Sequence, residues 1–254
     1  MTFGIEIFIA EIIGIIAFAI SGAIVGIKKQ FDIFGIIVLG VITAVGGGAL
    51  RDITLGIIPP TMFKNSIYVI VAFVTSCITF GATAIIKTKF HKNKLFFKEL
   101  VNFFDAIGLG VFAVTGTNTA IVHGFSNNAF LAIFVGVITG IGGGMVRDVL
   151  AGRIPFVLFK DIYASAAIVG ASIYYFMFTS NCNPLLSVLT AIVITILIRI
   201  LASYYHLGLP KLPKINFDEN DKHSWNIKKI VYNINEYGEY KRGGATCQKS
   251  QNGW

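Results

Sequence analysis

Long apolar runs separated by short polar breaks dominate the chain. Runs near 20 apolar residues, the length that crosses a bilayer as a helix, lie at 4–27, 33–58, 65–86, 101–122, 128–152, 162–180 and 184–205. The pattern predicts an all-α polytopic membrane protein with seven transmembrane helices. The first run has no basic segment before it and is too long for the apolar part of a cleaved leader. It is expected to remain as a span.

The polar breaks are unequal in charge. The connection at 28–32 holds Lys28 and Lys29, and 87–99 holds Lys87, Lys89, Lys92, Lys94 and Lys98. Arg153 and Lys160 fall between the fifth and sixth runs, and eight Lys or Arg follow residue 206. The alternate connections are nearly bare, with Lys64 in the second and none at 123–127 or 180–183. Basic loops face the cytoplasm. The expected placement is a multi-pass protein of the cell (inner or plasma) membrane, N-terminus outside and C-terminus cytoplasmic. An odd number of spans requires opposite ends, so count and charge agree.

Composition sharpens the class. Of 254 residues, 55% are hydrophobic and 13% charged, with a mean hydropathy of +0.74. A soluble domain carries about 25% charged residues. Net charge is +8 and the pI about 9.4. In this setting the excess points to loops facing anionic lipid rather than to nucleic acid.

Two polar motifs interrupt the apolar runs. "GGGALRDITLGIIP" (46–59) matches "GGGMVRDVLAGRIP" (142–155), 96 positions later. "MFKN" (62–65) matches "LFKD" (158–161) at the same offset. Upstream, "EIIGIIAFAISGA" (11–23) matches "DAIGLGVFAVTGT" (105–117) at an offset of 94. Glu11 meets Asp105, Phe18 meets Phe112, and Ser21 meets Thr115. Polar and glycine positions agree, not only leucines. One three-helix unit is written twice, in repeats of about 4–86 and 101–180, with a seventh helix at 184–205. Three spans per unit force the second copy into the membrane upside down, and sites in such folds lie near the midplane between the repeats.

Gly46, Gly47 and Gly48 fall about 20 Å along the second span at 1.5 Å per residue, and Gly142, Gly143 and Gly144 reach a similar depth from the other side. Glycines here either let two backbones approach closely or bend and unwind the helix. Bare backbone at this depth is tolerated only where protein buries it or water lines it. The Arg51–Asp52 and Arg147–Asp148 pairs favour the bend, because a charge in mid-membrane faces a bundle interior or water. Each pair either lines a pore or locks one helix to another. Glu11 and Asp105 could neutralise the arginines or draw cations into a vestibule. Ser21 and Thr115 either pack helices or line a polar path.

Enzyme chemistry has no support in the sequence. There is no HExxH, GxSxG or Walker lysine, and "GGG" before "RD" lacks the context of a phosphate loop. Cys77, Cys182 and Cys247 show no metal or redox spacing, and Cys77 reads as a buried small residue. His91, His123, His206 and His223 do not cluster. No catalytic residue, metal site or cofactor is expected.

Twin GGGxxRD motifs in inverted three-helix repeats, with a seventh helix, resemble the prokaryotic branch of the trimeric intracellular cation (TRIC) channels. The resemblance covers about residues 4–205. It implies a homotrimer in membrane lipid, with a pore in each subunit for monovalent cations, chiefly potassium, with sodium a further permeant. It also implies second and fifth helices kinked at Gly46–Gly48 and Gly142–Gly144, with Arg51, Asp52, Arg147 and Asp148 on the pore side. The same domain is also described as a glycine transporter, which makes a secondary transporter of glycine or another small metabolite the alternative. Animal members carry a basic lipid-binding motif in the fourth helix. No basic residue occurs within 101–122, so lipid gating is not carried over.

The polar tail, 206–254, departs from the core. Ile227, Ile230, Val231 and Ile234 have helical spacing, and Trp225, Lys228 and Lys229 suit a membrane surface. Residues 243–254 read as disordered.

Overall fold

The computed structural model describes residues 2–90, 94–158 and 162–205. The tail segment around Trp225, together with His91, His206, His223 and Cys247, lies outside the described residues. Helices α1 (Thr2–Lys28), α2 (Ile33–Thr54), α3 (Thr61–Lys64), α4 (Ile67–Phe90), α5 (Lys94–Ala120), α6 (Ala129–Leu150), α7 (Tyr163–Thr179) and α8 (Pro184–Tyr204) follow in order, with no strand among the described residues. All but α3 carry the expected spans. The pattern gave no sign of α3, a single turn in the second connection. Among the described residues six helices are long and apolar enough to cross a membrane, and α7 is apolar but only 17 residues long, about 25 Å. A π-helical turn, Ile121–Phe125, extends α5 toward the next connection, with Gly124 at φ +95°.

Caps set the helix ends. Asp32 Oδ1 accepts the Gly35 N–H at 2.7 Å, and Asn128 Oδ1 accepts the Leu131 N–H at 3.0 Å. These caps occupy equivalent positions before α2 and α6, where side-chain acceptors satisfy otherwise orphaned N–H groups. The apolar runs suggested that α2 and α6 would reach 58 and 152, but they stop at Thr54 and Leu150. Gly56 and Gly152 take left-handed φ values of +69° and +61°. Gly56 N–H bonds to Ile53 O and Ile57 N–H to Asp52 O, at 3.1 and 2.8 Å. Gly152 bonds to Val149 and Arg153 to Asp148, at 3.0 and 2.8 Å. This is the paired-bond helix stop that glycine permits at low steric cost. Cys77 is half-buried and Cys182 exposed, so Cys77 is less enclosed than the sequence suggested: its position on α4 leaves part of it facing outward.

Helices α1, α2 and α4 pack as one unit and α5, α6 and α7 as the other, with α8 against α5 and α7. Equivalent helices meet across the middle, α1 on α5 and α2 on α6. The buried apolar core follows this seam, through Phe18, Ala44, Ala72 and Phe112 in one cluster and Leu109, Ala113, Ala166 and Ala167 in another.

Candidate permeation site

The glycine triplets lie inside uninterrupted α-helix, from Ile33 to Thr54 and from Ala129 to Leu150. The helices are not unwound at the triplets, and the glycines allow close approach of the two backbones. A Cβ on Gly47 would overlap the carbonyl oxygen of Thr139, and a Cβ on Gly143 would overlap that of Thr43. Thr43 and Thr139 are themselves equivalent, so the contact is reciprocal. Gly46 faces Val146 and Gly142 faces Leu50, again as equivalents. Small residues are how membrane helices bring backbones together.

The third glycine of each triplet faces the charges. Each arginine bonds to the aspartate that follows it, Arg51 Nε to Asp52 Oδ1 at 2.8 Å and Arg147 Nε to Asp148 Oδ1 at 3.0 Å. Each then reaches the matched acid on the first helix of its own unit. Arg51 Nη1 donates to Glu11 Oε1 at 2.9 Å, and Arg147 Nη1 to Asp105 Oδ1 at 2.5 Å. The second oxygen of each aspartate accepts a backbone N–H beyond the helix, from Thr61 at 2.6 Å and Phe156 at 3.1 Å. One aspartate thus pairs its arginine, closes the helix stop through its carbonyl, and ties down the next segment. That threefold use explains why RD precedes the stop glycine in both copies. All four residues are buried, at 4% exposure or less. Charges so placed persist only when paired.

The two halves then diverge. Around Arg51 an open cleft is lined by Glu11, Gly48, Asp52, Thr61, Tyr68 and Phe112, among others. Two carboxylates and one guanidinium leave it one negative charge in excess. Tyr68 OH donates to Glu11 Oε2 at 2.8 Å. Around Arg147 the packing is closed. Ser21 Oγ accepts from Arg147 Nη1 at 2.6 Å, Tyr163 stands beside Gly144, and Arg147 is fully buried. Ser21 therefore crosses between the units, whereas its counterpart Thr115 is buried with its hydroxyl unbonded to any described acceptor or donor. The sequence reading missed Tyr68, Tyr163 and the threonines Thr43 and Thr139. It also missed Arg199 on α8, a lone charge in an apolar span, which is itself a signal of function.

The family model described as "Glycine transporter" matches twice, over residues 8–84 and 102–179. Those two segments are the two three-helix units. A solved structure described as "Structural basis for conductance through TRIC cation channels" is 37% identical, with a TM-score of 0.69, covering 82% of this chain and 97% of that one. The chain belongs to the TRIC channel family. The TRIC orthologue from Rhodobacter sphaeroides superposes with a TM-score of 0.72 at 30% identity, covering 79% of this chain and 98% of that one. Among curated relatives, the UPF0126 inner membrane protein YadS of Escherichia coli (strain K12) is 39% identical over 215 residues, 84% of this chain and 97% of YadS. A UPF0126 membrane protein of Vibrio cholerae is 34% identical, covering 80% of this chain and 82% of that protein. This chain shares its fold with these TRIC channels, and the double match of the family model falls on the repeat read from the glycine and polar positions.

Proposed function

We propose that the chain is a cation channel of the inner membrane, selective for monovalent cations with potassium the main permeant. It assembles as a homotrimer with a pore in each subunit, N-terminus outside. The cleft at Glu11, Arg51 and Asp52 carries the reading. It is a concave site at membrane depth with an excess carboxylate, next to a close crossing of α2 and α6. An excess acid attracts cations, and the paired guanidinium limits how tightly they are held, which lets them leave again. Phe112, Ile15 and Ala44 give the same cleft an apolar wall, which serves as the hydrophobic constriction in this reading. The cation-channel names of the solved relatives support the same class.

Potassium efflux and glycine uptake, measured in parallel from one batch of protein in liposomes, test the reading. Gradient-driven potassium efflux without glycine uptake is the expected result. Saturable glycine uptake without electrical leak would overturn it and make the cleft a substrate site.

A further inference from the structure

The two ends of the repeat are unequal in charge. Glu11 and Asp52 share one guanidinium, that of Arg51. Asp105 and Asp148 are paired with Arg147, and α8 brings a second guanidinium to that end, Arg199. Because α8 lies outside the repeat, Arg199 has no counterpart in the first unit. It is 3% exposed. Its Cζ sits 4.9 Å from the centre of the Tyr163 ring, and the hydroxyl of that tyrosine, Asp105 Oδ1 and Arg147 Nη2 all surround Gly144. The stack is a cation–π contact, but it leaves Nε and Nη2 without acceptors. Among the described residues Arg199 makes no ion pair. On its other side the guanidinium borders an open cleft between α5 and α8, with Glu99, Asn102 and Ser203 on its wall. A structural arginine at this depth would be expected to have its donors filled. Arg199 instead presents a fixed, underpaired positive charge between an open cleft and the buried acids.

We propose that Arg199 makes conduction unequal in the two directions. A cation entering at the Glu11 end meets a net negative site. A cation entering at the α8 end meets two buried acids, Asp105 and Asp148, balanced by Arg147 and Arg199, with the exposed Glu99 on the cleft wall. The inference rests on the cation-channel reading above.

Single trimers in planar bilayers with symmetrical KCl test it through the ratio of the larger to the smaller current at equal and opposite voltages. The wild type should rectify, and more so in about 0.1 M than in about 1 M KCl, because the screening length falls from about 10 Å to about 3 Å. R199Q should bring the ratio toward unity by raising the smaller current about two-fold or more. R199K keeps the charge and should keep the wild-type ratio. A wild type without rectification, or with rectification indifferent to salt, overturns the proposal. So does an R199Q trimer that conducts with an unchanged ratio, or an R199K trimer whose ratio falls to unity. If R199Q does not assemble, the salt series and R199K still decide. No current at all from wild-type trimers would defeat the channel reading itself, a separate outcome from conduction without asymmetry.

Discussion

Phe18 and Phe112 occupy equivalent positions in the two repeats, and their rings meet with centroids 5.2 Å apart, tilted by 43°. Equivalent residues can touch only where the axis relating the repeats passes between them. Gly47 and Gly143 mark the same axis one layer away, each under the carbonyl of the other unit's threonine. The pseudo-two-fold therefore runs through an aromatic pair and a glycine crossing, both buried.

Phe112 also lines the Glu11 cleft, so F112A removes a ring from its apolar floor. Potassium efflux from liposomes should rise about two-fold or more, as expected when a hydrophobic constriction widens. Efflux at the wild-type rate from correctly assembled F112A would show that the constriction lies elsewhere.

G47A tests the crossing. A methyl group there has no room against the backbone of Thr139, and overpacking of this kind costs about 1–3 kcal/mol. The melting temperature of the detergent-purified protein should fall accordingly. G46A places its methyl 3.8 Å from Val146, an ordinary contact, and should melt close to wild type. Equal melting of the two variants would refute the assignment.

E11Q removes the excess charge, keeps one oxygen acceptor for Arg51, and turns an NH2 donor toward the Tyr68 hydroxyl, which can accept from it. Single-channel potassium conductance should drop about two-fold or more, with assembly retained. Unchanged conductance in intact E11Q trimers sinks the role given to this acid.

D148N speaks to folding instead. From sequence, Asp148 either lines the pore or helps lock one helix to another. Its 1% exposure and its bonds to Arg147 and the Phe156 N–H make it a structural pin. Leaving Arg147 half-paired should cost about 3 kcal/mol, visible as lost trimer or earlier melting. A D148N protein that melts normally would restore the pore reading.

G56A and G152A each force a Cβ into left-handed backbone. About 1 kcal/mol each is expected, summing in the double variant because the sites are far apart. Thermal scans of the two singles and the double check this.

Much of this was legible in the residues. The repeat, its inversion and the pairing of Glu11 with Asp105 followed from glycine and polar matches, which resist chance better than leucines do. The triplets were harder to assign, because a run of glycines permits both bending and close packing. Which one occurs depends on whether another backbone arrives, and that is a tertiary fact. Tyr68 and Tyr163 escaped because they stand 95 positions apart while the motif just upstream repeats at 96, and the one-residue slip hides the match. Arg199 was visible as a charge in an apolar span, but nothing in its own helix says that it lands on Tyr163.

Joining two inverted copies in one chain has a further effect. A half-length ancestor that paired with itself in both orientations would need a single sequence fit for both faces of the membrane. Fusion lifts that constraint. Glutamate can serve at one face and aspartate at the other, serine can bridge where threonine does not, and an appended helix can add a charge to one side alone. The glycine crossing is where the two copies still mirror each other, since each supplies the carbonyl that the other must accommodate. Divergence is therefore expected to gather toward the ends of the bundle, while a substitution at either crossing glycine calls for a response in the opposite copy.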